Sequence, residues 1–278
     1  MRPLCIIKRL VTMSRVAIIS RLRNAHADHH AIARGMVVGA LFVFLSKVIG
    51  AAKEMVIAWR YGVSEIVDAY LFIFNLVTWP VAVWFSVLVV VLVPLAAAIR
   101  ERDPHELRRF RGELLGLTLI LGFLLWLLAE GGLPMFLRSS ISGLSGSALT
   151  HALNTAPALS GLALLGMTIS LLSAWVMAGG SHSNTLLEGV PALVILTTLL
   201  LTPGISTGAL VWGTLAGYTA QLVSLFVSLA KRSELDRPCF TLQSSQWRPF
   251  WRGFGIMLAG RALLSVGTVV DQVFAAHI

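Results

Sequence analysis

Lys47, Lys53 and Glu54 interrupt an otherwise apolar run that extends from about Gly35 to Tyr61. At about 1.5 Å of rise per residue, Lys47 lies on the order of 16 Å and Lys53 on the order of 26 Å from the start of that run, so in a bilayer-spanning helix Lys47 falls near the midplane. A charge there costs roughly 2.5–3.5 kcal/mol on insertion scales and is normally held by a cavity or a partner. Two such lysines offer one kind of chemistry, the recognition of an anion. Lys47 and Glu54 are seven residues apart, as are Lys53 and Arg60. Each pair therefore shares a helix face but is two turns apart, too far for a direct ion pair. Two structural alternatives stand beside a ligand cavity: Glu54 or Asp68 neutralises a lysine across the first helical hairpin, or Lys53 snorkels to the membrane surface. Arg261 and Asp271 charge the last apolar run in the same way. Arg261 is within snorkelling reach of the interface, whereas Asp271 is deeper and calls for a buried partner or a cavity.

Other chemistries lack their residues. No GxxxxGK[ST] phosphate loop is present, which excludes an ATP-driven pump on this chain. No paired Asp-rich motif offers a magnesium site, and His26, Asp28, His29 and His30 lie in a basic tail without a second ligand cluster. No metal, cofactor or catalytic residue is expected, and the chain does not read as an enzyme. Asn75, Thr78, Ser86, Tyr218 and Gln221 read as polar residues that pack helices together. Glu130 and Glu188 read as solvated carboxylates near helix ends.

The elements that position these charges follow from composition. The 278 residues are 56% hydrophobic and only 13% charged, with a mean hydropathy of +0.82, which excludes an ordinary soluble domain. An all-α polytopic membrane protein is expected, with six transmembrane helices and the start of a seventh: about Gly35–Tyr61, Asp68–Ala98, Leu114–Leu137, Ala158–Met177, Thr185–Leu201 and Thr207–Ala230, with the seventh from near Gly253. Pro80 predicts a kink in the second helix, because proline removes a main-chain hydrogen bond. The segment 100–113 reads as a charged loop and 139–157 as a Ser/Gly-rich outer loop.

The formal net charge is +9, and most of the excess sits in the N-terminal tail, Arg100–Arg111 and Lys231–Arg252. All three segments fall on the cytoplasmic side when the N-terminus is inside, as the positive-inside rule requires, so nucleic-acid binding is not needed to explain them. Cys5 and Cys239 then lie on the reducing side, where no disulfide forms. This gives a basic tail (1–35), a six-helix lobe (36–230), a cytoplasmic or interfacial connector (231–252) and a first helix of a second lobe (253–278). The apolar run reaches Ile278 without a polar flank, so a truncated chain with a missing C-terminal half is expected.

The stretch Leu45-Ser46-Lys47-Val48-Ile49-Gly50-Ala51-Ala52-Lys53-Glu54, followed by Tyr61-Gly62 and Asp68-Ala69-Tyr70, resembles the opening of the MviN/MurJ family, lipid II flippases of the MOP transporter superfamily. Ala209, Leu210, Val211, Trp212, Gly213, Leu215, Gly217 and Gln221 are similar to that family's Ala-Trp-Gly helix, and Ser265–Ala275, with Asp271, resembles the first helix of its second lobe. The resemblance implies a two-lobe transporter with a central cationic cavity. Its substrate would be an undecaprenyl-diphosphate-linked saccharide, lipid II or an exopolysaccharide repeat unit, moved across the bacterial inner membrane by alternating access. It places Lys47 and Lys53 where the family has two cavity arginines, and Asp68 where it has an acidic residue. Arg261 joins the cationic cavity, and Glu54 and Asp271 are acidic partners or coupling residues. The expected partners are the polyprenyl-diphosphate-linked saccharide and membrane lipid. The alternatives are a cation-coupled MATE-like antiporter, a membrane enzyme acting on the same lipid carriers, and an assembly or half-lobe protein without transport activity.

Overall fold

A computed structural model describes residues 37–180 and 183–260. Arg261 and Asp271, the seventh apolar run beyond 260, and Cys5 lie outside the described residues. The chain divides into two compact units, Met1–Leu45 and Ser46–Ile278. In the first, residues 37–45 are helical. The second contains α1 (46–61), α2 (Glu65–Arg102), α3 (Pro104–Leu137), a 3-10 turn (Ser140–Ser142), α4 (Gly146–Ser160), α5 (Leu162–Ala178), α6 (Ser183–Leu187), α7 (Val190–Leu201), α8 (Thr207–Lys231) and α9 (247–260). Among the described residues there are helices and no strands.

Three of these helices, α2, α3 and α8, are long and apolar enough to cross a membrane, and α4 with α5, bent by 42°, makes a fourth if counted as one span. The expected six are not all met as single helices, for local reasons. The expected span Thr185–Leu201 is broken: Glu188 and Gly189 separate α6 from the twelve-residue α7, with Pro191 near the start of α7. Nor is 139–157 an outer loop. Its alanines and leucines form α4, which buries Ala152, Ala156 and Leu159. Packing of that apolar face outweighs the Ser/Gly composition. The segment 100–113 is not a loop either, because α2 and α3 run through it and meet at Asp103. Asp103 accepts hydrogen bonds from the main-chain N–H groups of His105 (2.9 Å) and Glu106 (3.2 Å), and Pro104 takes the first helical position, where its missing N–H costs nothing. Pro80 and Pro94 both lie inside α2, which continues through them.

The centre of the unit is α5, most of which is buried against α2, α3 and α8. Small residues permit that closeness. A Cβ on Gly166 would come within 2.8 Å of Val81 Cγ1, and one on Gly217 within 2.8 Å of the Pro191 main chain, which fixes α8 on α7. The end of α1 is tied to the α7–α8 turn: Arg60 donates to the carbonyls of Leu199 and Gly204, and the Tyr61 hydroxyl donates to the Ser206 carbonyl at 2.8 Å.

The connector between α8 and α9 is a strap rather than a free loop. It runs extended along the first three turns of α3, which precede the apolar part of that helix at Leu114. The Cys239 N–H donates to the Gly112 carbonyl at 2.9 Å. Glu113, fully buried, accepts from Thr241 Oγ1 (2.9 Å), the N–H groups of Gln243 (3.1 Å) and Ser244 (3.0 Å), and Trp247 Nε1 (2.7 Å). Ser244 and Ser245 donate to Glu106 and hold its carboxyl below the ordinary carboxylate range. Arg111 donates to the Glu234 carbonyl (2.5 Å), pairs with Asp236 (3.2 Å) and lies over the Trp175 ring, while Arg100 reaches Glu234 at 3.0 Å. Burial pushes the Asp236 carboxyl up, against Arg111 and Arg108.

Two outcomes are expected. Gly217→Ala forces α8 off α7 and lowers stability by roughly 1–3 kcal/mol in chemical or thermal unfolding, whereas Gly131→Ala, with nothing near its Cβ, is close to neutral. Glu106 has a folded-state pKa below its ordinary 4.5, so its contribution to holding the strap is complete above about pH 4.5 and is lost as pH falls below that value. Proteolysis at Arg237 is therefore slow at pH 6 and accelerates below pH 4.5, and Glu106→Gln removes part of that acceleration.

Candidate functional site

Helices α1, α2, α5, α7 and α8 and the α6–α7 break enclose a cavity of about 430 Å³, within the range of small-ligand sites. Its walls have three chemistries. The first is aromatic: Tyr70 and Phe74 on α2 stack at 5.8 Å between ring centroids, and Phe74 meets the edge of Tyr218 on α8 at 6.3 Å. The Tyr70 hydroxyl shares a hydrogen with Thr214 Oγ1 at 2.8 Å, which fixes its ring on the wall. The second is small and polar, from Thr78, Ser170, Ser173 and Gln221. The third is charged, with Lys53 from α1 and Glu188 from the helix break.

Lys53 is half-buried, and its Nζ lies 2.6 Å from Glu54 Oε1. The carboxylate that engages this lysine is thus its own neighbour in sequence. Lys47 is exposed on α1 and does not line the cavity. It acts electrostatically on Glu188, which also accepts a hydrogen bond from Asn184 Nδ2 at 2.9 Å. Of the two lysines, Lys53 lines the cavity and Lys47 does not. Ser46 packs against Gly189, where a Cβ would come within 3.0 Å of the Ser46 hydroxyl, so α1 and the helix break touch directly. Asp68 is exposed in the first turn of α2, where a negative charge complements the helix dipole, and it does not line the cavity.

Several contributors escaped the sequence. Thr78, Tyr218 and Gln221 looked like packing residues and instead line the cavity, whereas Asn75 and Ser86 do not. Glu188 looked like a solvated helix-end carboxylate and instead faces the cavity. The signal available for it was the Glu-Gly-x-Pro sequence at 188–191, a charge and two helix breakers inside an apolar run. Glu130 accepts from Ser160 Oγ at 2.6 Å and joins α3 to α4. Among the described residues, no group of three or more His, Cys, Asp or Glu could hold a metal ion.

Apolar helices long enough to span a bilayer, packed through small residues around a part-polar cavity, define a helical membrane protein. The chain is similar in fold to a solved structure described as "Lipid II flippase MurJ, inward closed conformation", with a TM-score of 0.67 and 18% identity, over 87% of this chain and 51% of that one. The chain thus spans about half the length of that protein. No protein-family model and no curated protein matches the sequence. The fold implied by the residue resemblance is the fold found.

Narrowing the cavity from its tightest wall has a checkable effect. Gly166→Ala presses on Val81, itself a lining residue. It is expected to narrow the cavity and weaken any ligand that fills it, measured as a rise in dissociation constant, and to lower the unfolding midpoint as well, because Val81 is buried and its β-branched side chain has little freedom to move.

Proposed function

We propose that this chain forms one lobe of a flippase that moves a polyprenyl-diphosphate-linked saccharide across the bacterial inner membrane, with its N-terminus cytoplasmic and a second lobe completing the transport path. The observation that carries this reading is Lys53 at the rim of an otherwise aromatic and small-polar cavity. The ammonium suits a diphosphate, the Tyr70-Phe74-Tyr218 wall suits sugar rings or isoprene units, and the hydroxyl and amide groups suit sugar hydroxyls. The likeness to a MurJ structure supports transport rather than catalysis as the activity of such a fold.

In this mechanism the chain hydrolyses nothing. Lys53 exchanges its Glu54 partner for the diphosphate, Lys47 adds long-range attraction, and Asp68 is an acidic partner or coupling residue on the residue resemblance. Arg261 and Asp271 are assigned to the second-lobe side of the path on the residue resemblance alone. A MATE-like cation-coupled antiporter is the second reading, favoured by one specific feature: Glu188, an acidic side chain facing the cavity.

Binding of an undecaprenyl-diphosphate-linked saccharide to the purified protein in nanodiscs separates the two. Lys53→Ala is expected to weaken binding about tenfold or more, and Lys53→Arg to retain it, because guanidinium keeps the charge and adds a bidentate fork. Binding of an organic cation that depends on Glu188 and is indifferent to Lys53 would favour the antiporter instead.

A further inference from the structure

Lys53 and Glu188 line the cavity, Lys53 is held by Glu54 at 2.6 Å, and Lys47 lies outside the cavity and acts on Glu188 electrostatically, so the four formal charges cancel. A site in this state attracts a diphosphate poorly, although the residue types suggest a cationic one. One of the four groups differs from the rest in its setting. Glu188 sits at the break between α6 and α7, lines the cavity directly, and is accessible there. Its neighbour Asn184, almost wholly buried, gives Nδ2 to Glu188 and leaves Oδ1 without a hydrogen-bond partner. A protonated carboxyl is a donor as well as an acceptor, and an unfilled acceptor beside it is the environment that a proton would complete.

We propose that Glu188 is a proton-controlled gate on anion binding: ionised, it opposes the positive charge of Lys53 in the same cavity; protonated, it leaves these four groups with a net charge of +1. The step is a simple protonation, carboxylate plus one proton giving the neutral acid, so anionic substrate enters together with a proton. This rests on the flippase reading above. Among the described residues, the charged and titratable groups around Glu188 are Lys47 and Lys53 with Glu54 on α1, Tyr70 on α2 and Tyr218 on α8, and α5 contributes none; Glu188 is the carboxylate among them that lines the cavity.

The test uses the full chain in nanodiscs and undecaprenyl-diphosphate-linked N-acetylglucosamine as the probe, because both phosphates of such a diester keep one charge each between pH 8 and pH 6. Wild type is expected to bind about tenfold tighter at pH 6 than at pH 8, the effect of removing one unit charge from a partly screened site. Glu188→Gln is expected to bind at pH 8 as wild type does at pH 6, with the slope gone, and Glu188→Asp to keep the slope, which guards against a folding defect. A Glu188→Gln protein that retains the full pH slope overturns the gate. So does wild-type binding with no slope, an outcome that leaves the flippase reading standing. If wild type fails to bind the probe at either pH, the flippase reading fails, and infrared difference spectroscopy without ligand then decides the gate. A carboxylic-acid carbonyl band gained between pH 8 and pH 6 and missing in Glu188→Gln supports a proton site there, and its absence from wild type overturns it.

Discussion

A fully buried carboxylate organises one end of this protein. Glu113 has no exposed surface and satisfies its two oxygens with three donors from the strap that joins α8 to α9, a fourth from Trp247 at the start of α9, and Arg109 on α3 itself. A buried charge is tolerable only when its hydrogen bonds are complete, so the strap has little choice of register. Once Glu113 is satisfied, Cys239 lies against Gly112 and Gly116, whose missing side chains leave room for the strap main chain. Trp247 is drawn onto Phe110, with ring centroids 5.2 Å apart, and α9 follows with Phe250 and Phe254 in the core. Arg100 and Arg111 clamp the other end of the strap through Glu234 and Asp236. Arg100, Arg108, Arg109 and Arg111, which the sequence offers as topogenic positive charge, thus also make ion pairs within the fold.

The cavity end depends on a different device, interruption of regular helix. Small residues on α5 and α8 let five helices approach, and the Glu188-Gly189 break turns the chain so that a carboxylate faces the space between them. A continuous helix from 183 to 201 would bury the same stretch as one apolar rod. Function and fold therefore draw on opposite preferences here: packing favours unbroken apolar helix, and the site needs polar groups at depth.

Much of this was legible in the residues, and the reasons for the remainder are physical. Helix ends at Tyr61, Leu137 and Thr207 were readable because glycine, serine and proline punctuate them. The midplane lysines stood out because charge in an apolar run is costly, and the residue pattern of the first helix pointed to the fold that the structure shares with MurJ. What hydropathy cannot report is tertiary partnership. Ser139–Pro157 looked like a loop because its small alanine side chains give a weak apolar signal among serines and glycines, and Thr78, Tyr218 and Gln221 looked like packing residues because packing and lining positions have the same spacing. Glu113 attracted no notice at the edge of a charged segment, since its donors lie up to 134 residues further along the chain.

That separation has a consequence during synthesis. Apart from Arg109 on its own helix, Glu113 emerges before all of its donors, and the last of them, Trp247, follows 134 residues later. At about 5–20 residues per second this is an interval of roughly 7–27 s. Throughout it the carboxylate must stay hydrated at the membrane surface, which holds the start of α3 out of the lipid while α4 to α8 are still being inserted. The charge that finally anchors the strap thus serves first as a float, setting the depth of α3 before the neighbours that will bury it exist.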